Sequence, residues 1–235
     1  MSKPRVVSEW SLPEKLDLRD FRERLLVWWE ASGREFPWRK TRDPYRILMA
    51  EVLLHRTRAE QVVPVYEHLI DKFPSIRCLA GASPQEVMQE MRGAGLYWRA
   101  KLAHEMAMEI VRRFGGAVPE DKQQLQSLPG VSQYIASAVR CFAFGCSEPL
   151  LDTNTVRIAG RLFDLPVTDS SRRSKLFRDI LDTLLDRERP REFNLALIDL
   201  GALVCKSRKP ECHLCPVFRH CSYGRKTALV QEEPG

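Results

Sequence analysis

Lys122-Gln-Gln-Leu-Gln-Ser-Leu-Pro-Gly-Val-Ser-Gln-Tyr-Ile-Ala-Ser-Ala-Val-Arg-Cys-Phe-Ala-Phe144 is the stretch on which the reading of the fold turns. Lys122 to Ser127 reads as a short helix, and Leu128-Pro-Gly-Val-Ser132 as a tight apolar turn. From Tyr134 to Phe144, Ile135, Ala138, Val139 and Phe142 recur at helical spacing, which makes a second helix. A helix, short hairpin and helix of this kind expose backbone N–H groups where the second helix begins. Together with the helix dipole, those groups make a seat for a phosphate. An ordinary αα-hairpin, serving only packing, is the other reading of the same residues.

Outward from the hairpin the pattern stays helical. Asp17 caps a helix whose apolar stripe, Phe21, Leu25, Trp28 and Trp29, stops near Gly33. Pro44-Tyr45 breaks the chain, and a second helix is expected from about Ile47 to Thr57. Gln61 to Phe73, Pro84 to Met91 and Ala100 to Phe114 read as further helices, the last stopped by Gly115-Gly116. No alternating strand of any length, internal repeat or low-complexity linker is evident, so the fold class is all-α. The tail from about Thr227 is expected to be loose.

The chain of 235 residues is 44% hydrophobic and 29% charged, ordinary for a globular protein. No apolar run is long enough to span a bilayer, and Met1-Ser-Lys-Pro-Arg-Val-Val-Ser8 lacks the apolar stretch of a secretory signal. A cytoplasmic protein with no membrane partner is expected, nucleoid-associated if the source is prokaryotic. A net charge of +6 suits an anionic partner such as nucleic acid, although many basic proteins bind none.

Seven cysteines in a reducing compartment argue against a disulfide framework. Four of them, Cys205, Cys212, Cys215 and Cys221, fall within 17 residues as C-x6-C-x2-C-x5-C. Four thiolates hold either a zinc ion or an iron–sulfur cluster, and His213 and His220 leave zinc open. Cys78, Cys141 and Cys146 sit in apolar stretches and read as small buried side chains.

Leu128-Pro-Gly-Val, Leu151-Asp-Thr-Asn-Thr-Val-Arg157 and the cysteine spacing, in this order, resemble the helix-hairpin-helix/Gly-Pro-Asp DNA glycosylases. This is the superfamily of endonuclease III and the adenine mismatch glycosylase. Phe36-Pro-Trp-Arg39, Asp43-Pro-Tyr45 and Glu51-Val-Leu-Leu-His-Arg-Thr57 resemble the segments that lead into that family's pocket. The likeness runs from about Phe36 to Tyr223.

The resemblance implies two helical lobes with the DNA site in the cleft between them. A six-helix lobe would span 36–146 and contain the helix-hairpin-helix. Residues 1–35 and 147–235 would form the lobe that holds a [4Fe–4S] cluster on Cys205, Cys212, Cys215 and Cys221. In the family the cluster takes no direct part in bond cleavage; it braces a loop, here Lys206 to Glu211. Lys206, Arg208 and Lys209 would then face DNA phosphates, as would the hairpin at Gly130, Ser132 and Gln133.

Asp152 matches the family's essential aspartate, a carboxylate that stabilises the oxocarbenium ion forming as an N-glycosidic bond breaks. An aspartate before Thr-Asn-Thr is also a natural helix cap, and a cap is a rigid mount. Tyr134 stands where strand-cleaving members carry a lysine that forms a Schiff base. Tyrosine cannot form that imine, so a monofunctional enzyme leaving an abasic site is implied. Glu51 matches the carboxylate that protonates a leaving purine in the adenine enzyme, and a charge amid Ile47, Leu48, Val52 and Leu53 is expensive to bury unless used or paired. Arg56 would wedge into the duplex as the base flips, with Leu195 entering from the other side.

Adenine glycosylases usually read Gln-Gln-Thr where this chain has His55-Arg56-Thr57, and they append a C-terminal domain, whereas 14 residues follow Cys221 here. The combination with Tyr134 resembles the glycosylases that remove thymine or uracil opposite guanine. Double-stranded DNA with a mismatched or damaged base is then the partner, bound by a monomer. An adenine mismatch glycosylase and a non-catalytic DNA-binding iron–sulfur protein are the alternatives. One departure from the family stands out: the hairpin's second glycine is Ser132, which would weaken or alter the grip on DNA if that position needs a positive φ, although serine is also a good helix N-cap and can bond a phosphate itself.

Overall fold

A computed structural model describes residues 16–91 and 97–231 of the chain. The Met1–Ser8 stretch lies outside the described residues. Among those residues there are helices and turns and no strand. The α-helices are α1 (Leu18–Ser32), α2 (Pro44–Leu54), α3 (Ala59–Lys72), α4 (Ile76–Gly81), α5 (Pro84–Glu90) and α6 (Tyr97–Phe114). They continue as α7 (Lys122–Gln126), α8 (Gln133–Phe144), α9 (Thr153–Phe163), α10 (Lys175–Leu184), α11 (Pro190–Leu203) and α12 (Ser222–Gln231). The chain divides into two compact units, 34–148 and 1–33 with 149–235.

In the unit 34–148, α2 packs on α3, α6 and α8, and α6 carries α4 and α5. Pro44 opens α2 rather than breaking the chain. It occupies the first helical position, where its missing N–H is no loss, and Asp43 Oδ1 accepts the N–H groups of Tyr45 (2.8 Å) and Arg46 (3.2 Å). The helix therefore starts three residues before the expected Ile47. It stops at Leu54 instead of Thr57, because Arg56 adopts a left-handed backbone with φ 62°. α4 was not foreseen; Ser75 caps it, and only Ile76 and Leu79 of its six residues are buried hydrophobics, too little pattern to read. Cys78 lies on the open side of that helix and is exposed, while Cys146 is partly exposed; of the three cysteines expected to be buried, only Cys141 is.

Asp121 caps α7 and Ser132 caps α8, so both helices of the hairpin start on a side-chain acceptor. Each such cap is worth about 1 kcal/mol. Between them Gly130 takes φ 75°, which a glycine adopts without strain. Glu148 ties the two helices together. Its carboxylate accepts from Lys122 Nζ on α7 (2.7 Å) and from Arg140 Nε on α8 (2.5 Å).

In the other unit, α9 packs on α10, α11 and α12, and α1 packs on α11. Phe21, Leu25, Leu162, Phe177, Phe193 and Leu200 form the centre of its core. Asp17 caps α1 as the sequence indicates, accepting from Arg19 N and Asp20 N. Trp29 Nε1 donates to the buried Asp199 Oδ2 (3.1 Å), and Arg22 donates to the last carbonyls of α10, Thr183 and Leu184 (both 2.9 Å). α12 packs on α9 and runs to Gln231, so helix continues past Thr227, where a loose tail was expected.

Candidate active site and cysteine cavity

Asp152 is the N-cap of α9. Its Oδ1 accepts the Thr155 N–H at 2.7 Å, and Thr155 Oγ1 accepts the Asp152 N–H at 3.0 Å, a reciprocal capping box. Oδ2 accepts from Asn154 Nδ2 at 3.0 Å. The carboxylate is thus held at both oxygens while staying partly exposed. Asn154 is held in turn: its Oδ1 accepts from Arg157 Nη2 at 2.8 Å. The half-buried Arg157 also donates to Gly201 O (2.8 Å) and Cys205 O (2.9 Å). Asp152, Asn154 and Arg157 therefore form one hydrogen-bonded chain that ends on the backbone of the first clustered cysteine. Within Leu151–Arg157 the sequence motif marks Asp152 alone, and Asn154 and Arg157 act with it only in the fold. Asparagine two places after a helix cap and arginine one turn later were the available signals.

In the unit 34–148, Glu51 lies in the last turn of α2 with 6% exposure, so this carboxylate does sit in the interior. Tyr134 is in the first turn of α8, partly exposed, on a helix that packs against α2. Gly130, Ser132 and Gln133 are all exposed at the head of α8. Ser132 has φ −76°, an ordinary extended conformation, and its Oγ accepts the Ile135 N–H at 3.2 Å. Ser132 therefore carries no positive-φ strain, and it caps the helix as its residue type allows.

Arg56 is exposed and follows α2 directly. A left-handed backbone at a non-glycine residue costs on the order of 1 kcal/mol, and such strain clusters at functional positions. Arg99, which sequence reasoning passed over, fixes this turn. It is buried, donates to Leu53 O (2.8 Å) and Thr57 Oγ1 (3.0 Å), and so caps the C-terminal end of α2. Desolvation, with Arg99 and Arg56 nearby, lowers the pKa of His55 from the usual histidine value. Leu195 lies in α11 and is buried, at 6% exposure.

Cys205, Cys212, Cys215 and Cys221 line one cavity with Arg161, Phe218 and Tyr223. Arg161 Nη1 donates to Cys205 Sγ (3.2 Å), and the Gly224 N–H donates to Cys221 Sγ (3.4 Å). Burial pushes the Cys215 thiol up to about 12 and raises Cys221 as well, so four thiolates here need a positive charge to offset them. Neither histidine joins the set. His213 is exposed, and His220 Nε2 is engaged by Asp20 Oδ2 at 2.8 Å with its ring edge-on to Phe21. Among the described residues no group of three or more His, Cys, Asp or Glu is arranged to hold a metal ion.

The loop after Cys205 is braced by the protein itself. Arg161 donates to Lys206 O and Ser207 O (both 2.8 Å), and the Glu211 N–H closes onto Val204 O (2.9 Å). Lys206, Arg208 and Lys209 are exposed, with Lys206 paired to Glu211 at 2.8 Å.

Residues 49–181 match the HhH-GPD superfamily of base excision DNA repair proteins. The thymine/uracil-DNA glycosylase of Pyrobaculum aerophilum is 37% identical, with 93% of this chain and 98% of the relative covered. The thymine-DNA glycosylase of Aeropyrum pernix is 39% identical, covering 89% and 96%. The adenine DNA glycosylase of Mycobacterium tuberculosis is 35% identical, covering 94% and 74%. Among solved structures, a thermostable thymine-DNA glycosylase aligns with a TM-score of 0.82 at 34% identity, covering 89% of this chain and 97% of that one. A trapped endonuclease III–DNA covalent intermediate aligns at 0.76 and 25% identity, covering 91% and 99%. A capped aspartate, a hairpin opening a helix and these likenesses over most of the chain agree: the chain belongs to the HhH-GPD superfamily and is a DNA glycosylase of base excision repair.

Proposed function

We propose that the protein is a monofunctional glycosylase that removes thymine or uracil mispaired with guanine and leaves an abasic site. The observation that carries the reading is the pairing of Asp152, held at both carboxylate oxygens, with tyrosine rather than lysine at position 134. His55-Arg56 and the thymine- and uracil-releasing relatives support the choice of base.

In this reading the hairpin at Gly130, Ser132 and Gln133 and the basic residues Arg208 and Lys209 grip phosphates. Arg56 fills the gap as the target base swings out. As the C1′–N bond breaks, its electron pair leaves with the base and positive charge grows on the sugar. Asp152 stabilises that charge, and a water it orients adds its oxygen to C1′ and passes its proton to the carboxylate, while the departing base anion takes a proton from solvent. Asn154 and Thr155 fix where the carboxylate stands, so little reorganisation is needed as charge develops. Tyr134 offers no amine to C1′, so the strand stays intact.

Cys205, Cys212, Cys215 and Cys221 would hold a [4Fe–4S] cluster. The donor chemistry supports this: four sulfurs line one cavity and two of them receive N–H donors, although they are not gathered as a metal-ready group. When bound, the cluster supplies a cross-link between the loop at Lys206 and the last helix.

An adenine glycosylase is the second reading, favoured by the buried carboxylate of Glu51 and the Mycobacterium relative. The test is a duplex panel holding a single T·G, U·G, A·G, A·8-oxoguanine or C·G pair, analysed with and without alkali. Breakage of the T·G and U·G strands only after alkali is expected. Prompt strand cleavage would overturn the monofunctional claim, and product confined to adenine would install the second reading.

A further inference from the structure

Trp98, in the first turn of α6, is 52% exposed, the one aromatic among the exposed large hydrophobic side chains of the described residues. The ring is held rather than loose. His55 meets it edge-on at 6.0 Å between centroids, and Arg99 Cζ sits over the ring at 5.2 Å. Arg99 is 5% exposed, and its Nε has no acceptor among the described residues.

Trp98, His55 and Arg99 line a single cleft with Pro129, Gly130 and Ser132. That cleft joins the two features of this unit already read as DNA-facing, the turn at Arg56 and the hairpin at the head of α8. Its walls are the Trp98 and His55 rings, aliphatic side chains and the buried Arg99 guanidinium, with the hairpin at one end. The hairpin's N–H groups serve a phosphate, but the aromatic and aliphatic walls give it nothing. The flat face and polar edge of a nucleobase match them, since every base offers a π-face to an aromatic ring. A base that is still paired and stacked could not reach it.

We propose that Trp98 is a stacking platform for an unpaired nucleobase of the bound DNA, one left exposed when the target leaves the helix. The proposal rests on the chain being a DNA glycosylase and not on which base it releases. Two positions supply such a base, the one opposite the target and the one beside it.

The test compares wild type, W98A and W98F by fluorescence anisotropy. One duplex carries a stable abasic analogue opposite guanine, and the other is fully paired. Loss of base stacking corresponds to roughly 5- to 150-fold in affinity. W98A is expected to bind the abasic duplex at least about tenfold more weakly and the paired duplex within about twofold, with W98F recovering most of the difference. With 2-aminopurine placed opposite or beside the abasic position, the emission difference between wild type and W98A identifies the stacked base. Equal binding of W98A and wild type overturns the proposal, as does an equal loss on both duplexes or unchanged emission at both positions. Should W98A melt early, W98F decides: it keeps the ring, and a W98F as weak as W98A overturns stacking. Absence of thymine or uracil release, with these binding differences intact, would count against the substrate reading alone.

Discussion

Gly201→Ala is the substitution that most directly tests how Asp152 is held. Gly201 lies on α11, and a methyl group there would stand 2.5 Å from Asn154 Cβ, 3.0 Å from its Cγ and 3.1 Å from its Oδ1. Carbon atoms in contact prefer about 3.5–4.0 Å. Asn154 Cβ is one bond from the backbone, so no side-chain rotation relieves the clash. Either α9 and α11 part by about 1 Å, or the start of α9 shifts. Alanine gains about 0.8–1 kcal/mol of helix propensity over glycine, while overpacking costs about 1–3 kcal/mol. The clash wins, leaving a net loss of about 1 kcal/mol, or roughly 2–4 °C in Tm for a chain of this size. Catalysis is more sensitive. Asn154 carries the bond to Asp152 Oδ2, and a misplacement of about 1 Å costs on the order of 100-fold in rate. Single-turnover release from a U·G duplex is therefore expected to fall by about 10- to 100-fold, with binding of an abasic duplex nearly unchanged. Pairing the change with Asn154→Gly removes the clashing atom, so the double change should lower Tm by less than the sum of the two single changes while the rate stays low. A G201A protein that melts higher than wild type and reacts at the wild-type rate would refute the reasoning.

Tyr134→Lys places an amine where strand-cleaving relatives carry theirs; prompt strand cleavage and a borohydride-trapped protein–DNA adduct are expected, and neither should occur in wild type. Arg56→Gly relieves the backbone at φ 62°, so Tm should hold or rise by a few degrees while base release falls at least tenfold; a fall in Tm would count against the strain. Glu148→Ala strips the shared partner from Lys122 and Arg140 and should cost about 2 kcal/mol, read as an earlier denaturant midpoint. Burial works against the charged form of Glu148, but its bonds to Lys122, Ser137 and Arg140 prevail and hold its pKa below the usual glutamate value. Its contribution is therefore complete above about pH 4.5 and is lost as pH falls through the lowered value, so wild type should lose more stability than E148A on acidification below that point.

Helix content and the hairpin were legible in the sequence because their signals are local. Caps such as Asp17 and Ser132, the glycine at 130 and the spacing of Ile135, Ala138, Val139 and Phe142 act within a few residues of themselves. The misreading of Pro44 belongs to the same scale: proline stops a helix from inside and starts one from its first position, and only the cap at Asp43 tells the two apart. The candidate site was legible where a motif names its residue, as at Asp152, and opaque where a residue acts through one far along the chain. Arg157 reaches carbonyls 44 and 48 positions away, Arg161 does the same for the loop after Cys205, and Arg99 closes α2 from the start of α6. No periodicity marks such residues, because an arginine that satisfies buried carbonyls and one that faces water look alike in sequence. Leu195 is a related case, a leucine whose burial in α11 no local pattern announces. What the sequence leaves unread is therefore not scattered. It is the set of long cationic side chains that hold helix ends and loops in place, and in this protein two of them, Arg157 and Arg161, lie one turn apart on the helix that Asp152 caps.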